Sequence, residues 1–327
     1  MISLSRTSLP ALRPLGAPWV AKVLRSIMIP AAGILVFLML WQGVAQSVTT
    51  SLGQFPGPSD VLHQGSVLVD EYYEQKDKAS RFYERQEVRN AKKLAQNPDA
   101  VIKWRAYTGK PTFLDQIIVS LKTVAFGFCI ASIIAIPLGI ACGLSDTFYL
   151  AVNPIIQVFK PVSPLAWLPL VTMVVSALYV TDDPFFAKSF LNSGFTVALC
   201  CLWPTVINTS VGVAGIDRDL INVGRVIKLK PLTNIAKIVL PSALPMIFTG
   251  LRLSLATGWM VLIAAEMLSQ NPGLGKFIWD EFQNGSSQSL SRIMTAVVVI
   301  GLIGFVLDRL MLTLQRRFSW DKSVDLK

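Results

Sequence analysis

Long stretches of this chain carry no charged residue and alternate with short charged ones. A helix crossing the hydrocarbon of a bilayer needs about 20 mostly apolar residues, because each rises about 1.5 Å through a core about 30 Å thick. Residues 27–45 form one such run and 123–145 a second. Residues 150–159 are apolar but short, and Pro161, Pro164 and Pro169 lead from them into a third span at 165–179. A fourth covers 189–216, which holds no charge over 28 positions. The fifth, 243–265, is interrupted only by Arg252, and 293–307 with its flanks is the sixth. The pattern predicts an all-α membrane protein with six transmembrane helices.

Composition agrees. Of the 327 residues 52% are hydrophobic and 15% charged, against roughly 25% charged in an ordinary soluble domain. The four cysteines, Cys129, Cys142, Cys200 and Cys201, all fall inside apolar runs, so no disulfide or zinc framework is implied. A basic start before an apolar run can be a cleaved signal peptide. Here the run begins only near residue 27 and ends in Gln46-Ser47 without a small-residue cleavage site, which reads as a retained anchor helix.

Lysine and arginine in short connections are held on the cytoplasmic side. Residues 1–26 contain Arg6, Arg13, Lys22 and Arg25 and no acid. The connection at 217–237 has five basic and two acidic residues, and the tail from Asp308 has five basic and three acidic. By contrast, Asp182, Asp183 and Lys188 sum to minus one, as do residues 266–292. Both termini are therefore expected in the cytoplasm, and the net charge of +10 reflects topology rather than a nucleic-acid partner. The expected organisation is a cytoplasmic segment 1–26, an extra transmembrane helix 27–46, a periplasmic segment 47–115, a core 116–318 with a cytoplasmic loop at 217–240, and a cytoplasmic tail 319–327. Within 47–115, ten bases and nine acids nearly cancel, and long loops cross regardless of charge. Residues 70–96 read there as a solvated helix or a docking surface for a soluble partner, stopped by Asn97-Pro98.

Several chemistries are missing. There is no G-x-x-x-x-G-K-[ST] phosphate loop, and Gly273-Leu274-Gly275-Lys276 lacks the required first glycine and the following Ser or Thr. His63, the single histidine, lies in an outer loop, so no histidine metal cluster forms inside the membrane. No G-x-S-x-G elbow or intramembrane carboxylate pair occurs, and an enzyme is not expected. Ion-driven carriers place ionisable groups near the bilayer midplane. Arg252 and Glu266, the latter read as a flank at the outer surface, make a thin relay. Energy is expected from a partner on the cytoplasmic face, with a secondary anion carrier as the rival class and a transport-free scaffold behind it.

Between the fourth and fifth spans, residues 220–229 read as a short helix, Pro231 breaks it, 233–239 forms a second, and Pro241 and Pro245 start the next span. Two basic amphipathic segments of this kind suit anionic lipid or a groove on a partner protein. Here the chain resembles the EAA loop of ATP-binding-cassette (ABC) importer permeases, whose pattern is E-A-A, three residues, Gly, nine residues, I-x-L-P. Ile238, Leu240 and Pro241 match its end. Counting back places Lys228 at the family glycine and Asn222, Val223 and Gly224 at E-A-A, so the front half departs. Leu240-Pro241-Ser242-Ala243-Leu244-Pro245, Gly250-Leu251-Arg252, Pro164-Leu165-Ala166-Trp167-Leu168-Pro169-Leu170, Ile136-Pro137-Leu138-Gly139-Ile140 and Asn271-Pro272-Gly273-Leu274-Gly275 strengthen the match. The resemblance covers about residues 113–318. It is closest to the branch importing nitrate, bicarbonate, cyanate, taurine and sulfonates, with 202–209 and the loop variant at 221–223 most like the nitrate and bicarbonate permeases.

That resemblance implies a type I ABC importer permease fold in a bacterial inner membrane. It further implies a homodimer served by a periplasmic binding protein and by ATPase subunits that hold ATP and magnesium, with no cofactor in this chain. Nitrate or nitrite is the expected cargo, with bicarbonate, cyanate or sulfonate and taurine as alternatives. The expected ATPase-coupling residues are Asn222, Val223, Gly224, Arg225, Val226, Ile227, Lys228 and Leu229. Candidates for the path, as polar or aromatic groups near the spans, are Lys160, Trp167, Asn208, Thr209 and Arg252. For each a plain role is also open: helix glue, interfacial anchor or basic flank.

Overall fold

The computed structural model describes residues 24–50, 53–97, 101–181 and 184–318, and within them all side chains except those of Leu24, Arg25, Arg218, Val223 and Arg225. The expectations placed on residues 1–23, on Asp182 and Asp183 and on 319–327 lie outside these residues. The chain divides into two compact units, residues 1–60 and 61–327.

In the first unit, a π turn at Leu24–Met28 leads into α1 (Ile29–Ser47), the expected first span. Ile34, Leu35, Phe37 and Leu40 are all exposed, as on a helix surrounded by lipid. A two-residue hairpin follows, β1 (Thr49–Thr50) against β2 (Gly53–Gln54). The Trp41 indole donates to the Pro56 carbonyl at 3.1 Å. Helix α2 (Pro58–Gln96) begins here and continues into the second unit.

The second unit is a helix bundle. Helix α3 (Phe113–Leu144) opens on a capping box: the Thr112 hydroxyl accepts from Asp115 N, and the Asp115 carboxylate accepts from Thr112 N. It runs parallel to α6 (Lys188–Ala214) with almost no space between them. Gly127 lies against Gly194 and Val197, Gly139 against Val206 and Thr209, and Gly143 against Ser210 and Val213, in step along both helices. A Cβ on Gly139 would stand 2.6 Å from that of Thr209, so only glycine permits this approach. Helix α9 (Leu240–Ser269) packs antiparallel on α6, with Gly212, Gly250 and Gly258 at the contact. Helix α11 (Ser289–Phe318) then runs antiparallel to α9: Trp259 Nε1 donates to the Ile300 carbonyl at 3.0 Å, and Gln315 Nε2 to the Pro245 carbonyl at 3.3 Å.

The third expected span needs correction in its form. Helix α4 (Asp146–Phe159) and helix α5 (Pro164–Leu178) meet at 102° across a four-residue break. With 15 residues, α5 reaches only about 22 Å, short of the hydrocarbon thickness. Among the described residues there are thus five helices long and apolar enough to cross, or six crossings when the bent pair counts as one. The apolar run at 150–159 lies within α4, across this bend from 165–178.

The connecting loop also differs from its reading. Helix α7 (Arg218–Val226) ends three residues earlier than expected. Pro231 starts the next helix rather than merely ending the previous one, because a proline at the first position has no N–H to leave unpaired. Helix α8 (Pro231–Asn234), a π turn at Ile235–Val239 and α9 then form one continuous 39-residue rod, Pro231–Ser269. The π turn re-routes the hydrogen-bond ladder just before Pro241.

The expected helix at 70–96 is the far part of α2, which starts twelve residues earlier. Its near part was missed because Val61, Leu68 and their polar neighbours carry too few apolar residues to read as a span. The segment 101–112 returns along α2. Gln86, buried, donates to the Arg105 carbonyl at 3.3 Å and accepts from Arg105 N at 3.2 Å. Tyr107 N donates to the Tyr83 hydroxyl at 3.1 Å. Arg292 of α11 anchors this arm, holding both oxygens of Glu71 at 2.7 and 3.0 Å.

Candidate functional site

Gly224 decides the shape of the loop. A Cβ at this position would lie 2.5 Å from Asn234 Oδ1 and 3.0 Å from Ile238 Cδ1, so α7 lies directly on the start of the rod. Leu229 N donates to the Gly224 carbonyl at 3.1 Å and closes the turn. At that turn Lys228 takes a φ of 49°, the left-handed region that glycine adopts without cost. This is the position at which the EAA pattern carries its glycine, and here a lysine holds a backbone conformation that glycine adopts most easily. On the outside of the loop Asn222 is exposed, Val226 is 79% exposed, Ile227 59% and Leu232 81%. These apolar side chains stand exposed beside the basic Lys228 and Lys230. Val223 and Arg225, the remaining members of the expected set, have side chains outside the described residues.

The expected path residues do not converge on one point. Lys160 is exposed at the end of α4, and Trp167 packs on Phe159 with ring centres 5.5 Å apart. Asn208 turns back on its own helix, donating to the Pro204 carbonyl at 2.8 Å. Thr209 is fully buried against Gly139 of α3. Arg252 pairs with Asp308 of α11 through two contacts, 2.5 and 3.0 Å. Trp203 of α6 stacks on the same Phe159 ring, with centres 6.2 Å apart and an 8° tilt.

Glu266 is not a flank at the outer surface. It is wholly buried at the end of α9 opposite the loop and forms the hub of a polar node. The Ser120 hydroxyl of α3 lies 2.7 and 2.9 Å from its two oxygens, Gly275 N donates at 3.1 Å and Asn271 Nδ2 at 3.4 Å. Asn271 Nδ2 also reaches Thr123 Oγ1, and Leu274 N donates to Ser120 Oγ. The Asn271-Pro272-Gly273-Leu274-Gly275 segment thus wraps a carboxylate, and side chains at Gly273 or Gly275 would collide with Glu266 or with the Ile263 carbonyl. Helix α10 (Leu274–Asn284) is thereby fastened to α3 and α9. Composition hid this role, because a charge near the end of a run looks the same whether it faces water or the interior.

A family described as the binding-protein-dependent transport system inner membrane component matches residues 135–320. The chain belongs to this family. It is accordingly a multi-pass inner-membrane transport subunit of an ABC importer, not an enzyme. Its partners are ATPase subunits, on which ATP is hydrolysed, and a substrate-binding protein.

Among curated proteins, this permease is 40% identical over 195 residues to the nitrate import permease protein NrtB of Leptolyngbya laminosa, covering 60% of this chain and 65% of that protein. It is 36% identical over 225 residues to the NrtB of Synechococcus elongatus, 66% of this chain and 77% of that protein. To the bicarbonate transport system permease protein CmpB of Synechococcus elongatus it is 33% identical over 317 residues, 97% and 98% of the two chains. A solved inward-facing structure of the MetNI methionine ABC transporter superimposes with a TM-score of 0.53 at 15% identity, over 63% of this chain and 95% of that one. The shared fold is the type I importer permease.

Proposed function

We propose that this permease imports a small oxyanion, nitrate before bicarbonate, with α7 and the turn at Lys228 as the piece that an ATPase moves. The carrying observation is the loop: apolar Val226 and Ile227 stand exposed beside Lys228, which takes a left-handed backbone at the position of the EAA glycine. Burying each such side chain in a groove contributes roughly 1.5–3 kcal/mol, enough to transmit a displacement rather than merely touch. Closure of two ATPase subunits on ATP would move the grooves, and the loops seated in them, from inward-open to outward-open. Two copies of the chain form the path in this reading, and the ATP and magnesium remain on the ATPase.

Nitrate is favoured by the names of the two relatives at 40% and 36% identity. Bicarbonate is retained as the second reading because the CmpB relative aligns over almost its whole length. Lys160, Trp167 and Thr209 are the path candidates retained. Asn208 and Arg252 have their polar groups engaged, at the Pro204 carbonyl and at Asp308, whereas the Thr209 hydroxyl is buried without a partner among the described residues.

The test is ATP hydrolysis by the purified complex in lipid, with its binding protein, on addition of nitrate, bicarbonate, cyanate or taurine. The largest stimulation is expected with nitrate. Accumulation of solute by the permease without any ATPase subunit would defeat the proposal.

A further inference from the structure

Two indole N–H groups in the bundle have nothing to donate to. Trp167 Nε1 and Trp203 Nε1 are both buried and neither meets an acceptor among the described residues. An indole can only donate, and a buried donor without an acceptor is costly. Trp259, by contrast, satisfies its N–H on the Ile300 carbonyl.

The two unsatisfied indoles are neighbours. Phe159 lies between them, 5.5 Å from Trp167 and 6.2 Å from Trp203, and the three rings come from α4, α5 and α6. They gather where α4 and α5 meet at 102°. Trp203 is the sixteenth of the 27 residues of α6, so this break lies beside the central turns of a helix long enough to cross a membrane. Irregular backbone at that depth persists only where it is enclosed by protein or lines a cavity, and broken helices near the midplane are a common way to build a solute site. A cavity of about 700 Å³ opens beside Trp167 between α3, α5 and α6 and carries no charged side chain. Lys160, exposed one residue after Phe159, is the nearest cation in sequence and forms no ion pair among the described residues.

We propose that Trp167 and Trp203 form a transient binding site for a planar oxyanion at the α4–α5 break, donating their indole N–H groups to its oxygens. The inference rests on the reading of the chain as an oxyanion permease and adds the groups that hold the ion midway. An anion crossing a low-dielectric interior needs donors, yet a fixed cation beside it would retain it too strongly for release. Indole N–H groups meet both requirements: the positive edge of the ring faces the anion, and the ring carries no net charge. Lys160 attracts the ion toward the break without holding it there.

The test uses the complete transporter, permease, ATPase and binding protein, in proteoliposomes, scoring nitrate accumulated per ATP hydrolysed. The Trp167→Phe, Trp203→Phe double variant keeps two aromatic rings and loses both donors, and the ratio is expected to fall about tenfold. Because a smaller ring can disturb packing, the second arm places benzothienylalanine at position 203, where sulfur replaces N–H in a ring of nearly the same shape. The same direction of change is expected. Trp259→Phe, outside the site, should leave the ratio at the wild-type value. Wild-type ratios in both the double variant and the benzothienylalanine protein would overturn the site while leaving the import function standing. A wild-type complex that moves no oxyanion would overturn both.

Discussion

The guanidinium of Arg252 on α9 grips the carboxylate of Asp308 on α11, Nε to Oδ1 at 2.5 Å and Nη2 to Oδ2 at 3.0 Å. An unpaired arginine inside a membrane helix is expensive. Here its charge is balanced by the neighbouring helix, and the fork geometry fixes the two helices in register. The pair closes one end of a cavity of about 170 Å³ that Trp259, Gly304 and Met311 also line.

Removing one partner of this pair leaves the other without a counter-charge. Arg252→Gln and Asp308→Asn are each expected to lower the stability of the purified protein by roughly 1–3 kcal/mol. The double variant should lose less than the sum of the two. Thermal unfolding in detergent of the four proteins gives the cycle, and strictly additive losses would show that the groups do not act together.

The node around Glu266 sets the position of α10. Gly275→Ala puts a methyl group where the Ile263 carbonyl and the Glu266 side chain already lie, so the helix must shift. A loss of roughly 1–3 kcal/mol is expected, with faster amide exchange at 274–284 than in wild type. Unchanged exchange there would mean the close packing is relieved elsewhere.

Lys228 bears a left-handed backbone that a glycine adopts freely. Lys228→Gly is expected to be neutral or to stabilise the turn by up to about 1 kcal/mol, whereas Lys228→Val should destabilise it. Midpoints of thermal unfolding compare the two. A valine variant as stable as the glycine variant would contradict the strained turn.

Val226 is the most exposed apolar residue between 220 and 229 among the described side chains. Val226→Asp is expected to leave membrane insertion intact while separating ATP hydrolysis from uptake, since a carboxylate does not enter an apolar groove. Uptake and hydrolysis measured on the same proteoliposomes report it, and normal coupling would remove α7 from the contact.

Arg292 ties α11 to two other helices: to α2 through Glu71, and to α10 through Glu281 at 2.6 Å and the Phe277 ring 5.6 Å from its guanidinium carbon. With Arg292→Gln, amide exchange along 61–75 should rise while that of α6 stays constant. Equal protection in both proteins would assign the anchoring to Leu68 and its apolar neighbours.

The spans were legible because lipid imposes one simple demand, an uninterrupted apolar run. The glycine-lined contacts between α3, α6 and α9 were not, since small residues at Gly139 and Gly250 have no meaning until their neighbours are known. The α4–α5 bend hid behind three prolines that read equally well as a linker. At the loop, matching to a family pattern pointed to residue 228 while composition alone did not, because the turn is a property of φ rather than of side-chain type. Of the proposed path, Trp167 was visible as an aromatic near a span. Trp203 was not, since its unpaired donor exists only in three dimensions.

From Pro231 to Ser269 the polypeptide is one uninterrupted stalk of 39 residues, about 58 Å from end to end. One end bears on Gly224 and the other carries Glu266. Geometry makes such a stalk a displacement amplifier: each degree of tilt about its lower end carries the upper end sideways by about 1 Å. In the coupling proposed above, a nudge of a few degrees at the Gly224 end would therefore shift the Glu266 end by the width of a small ion.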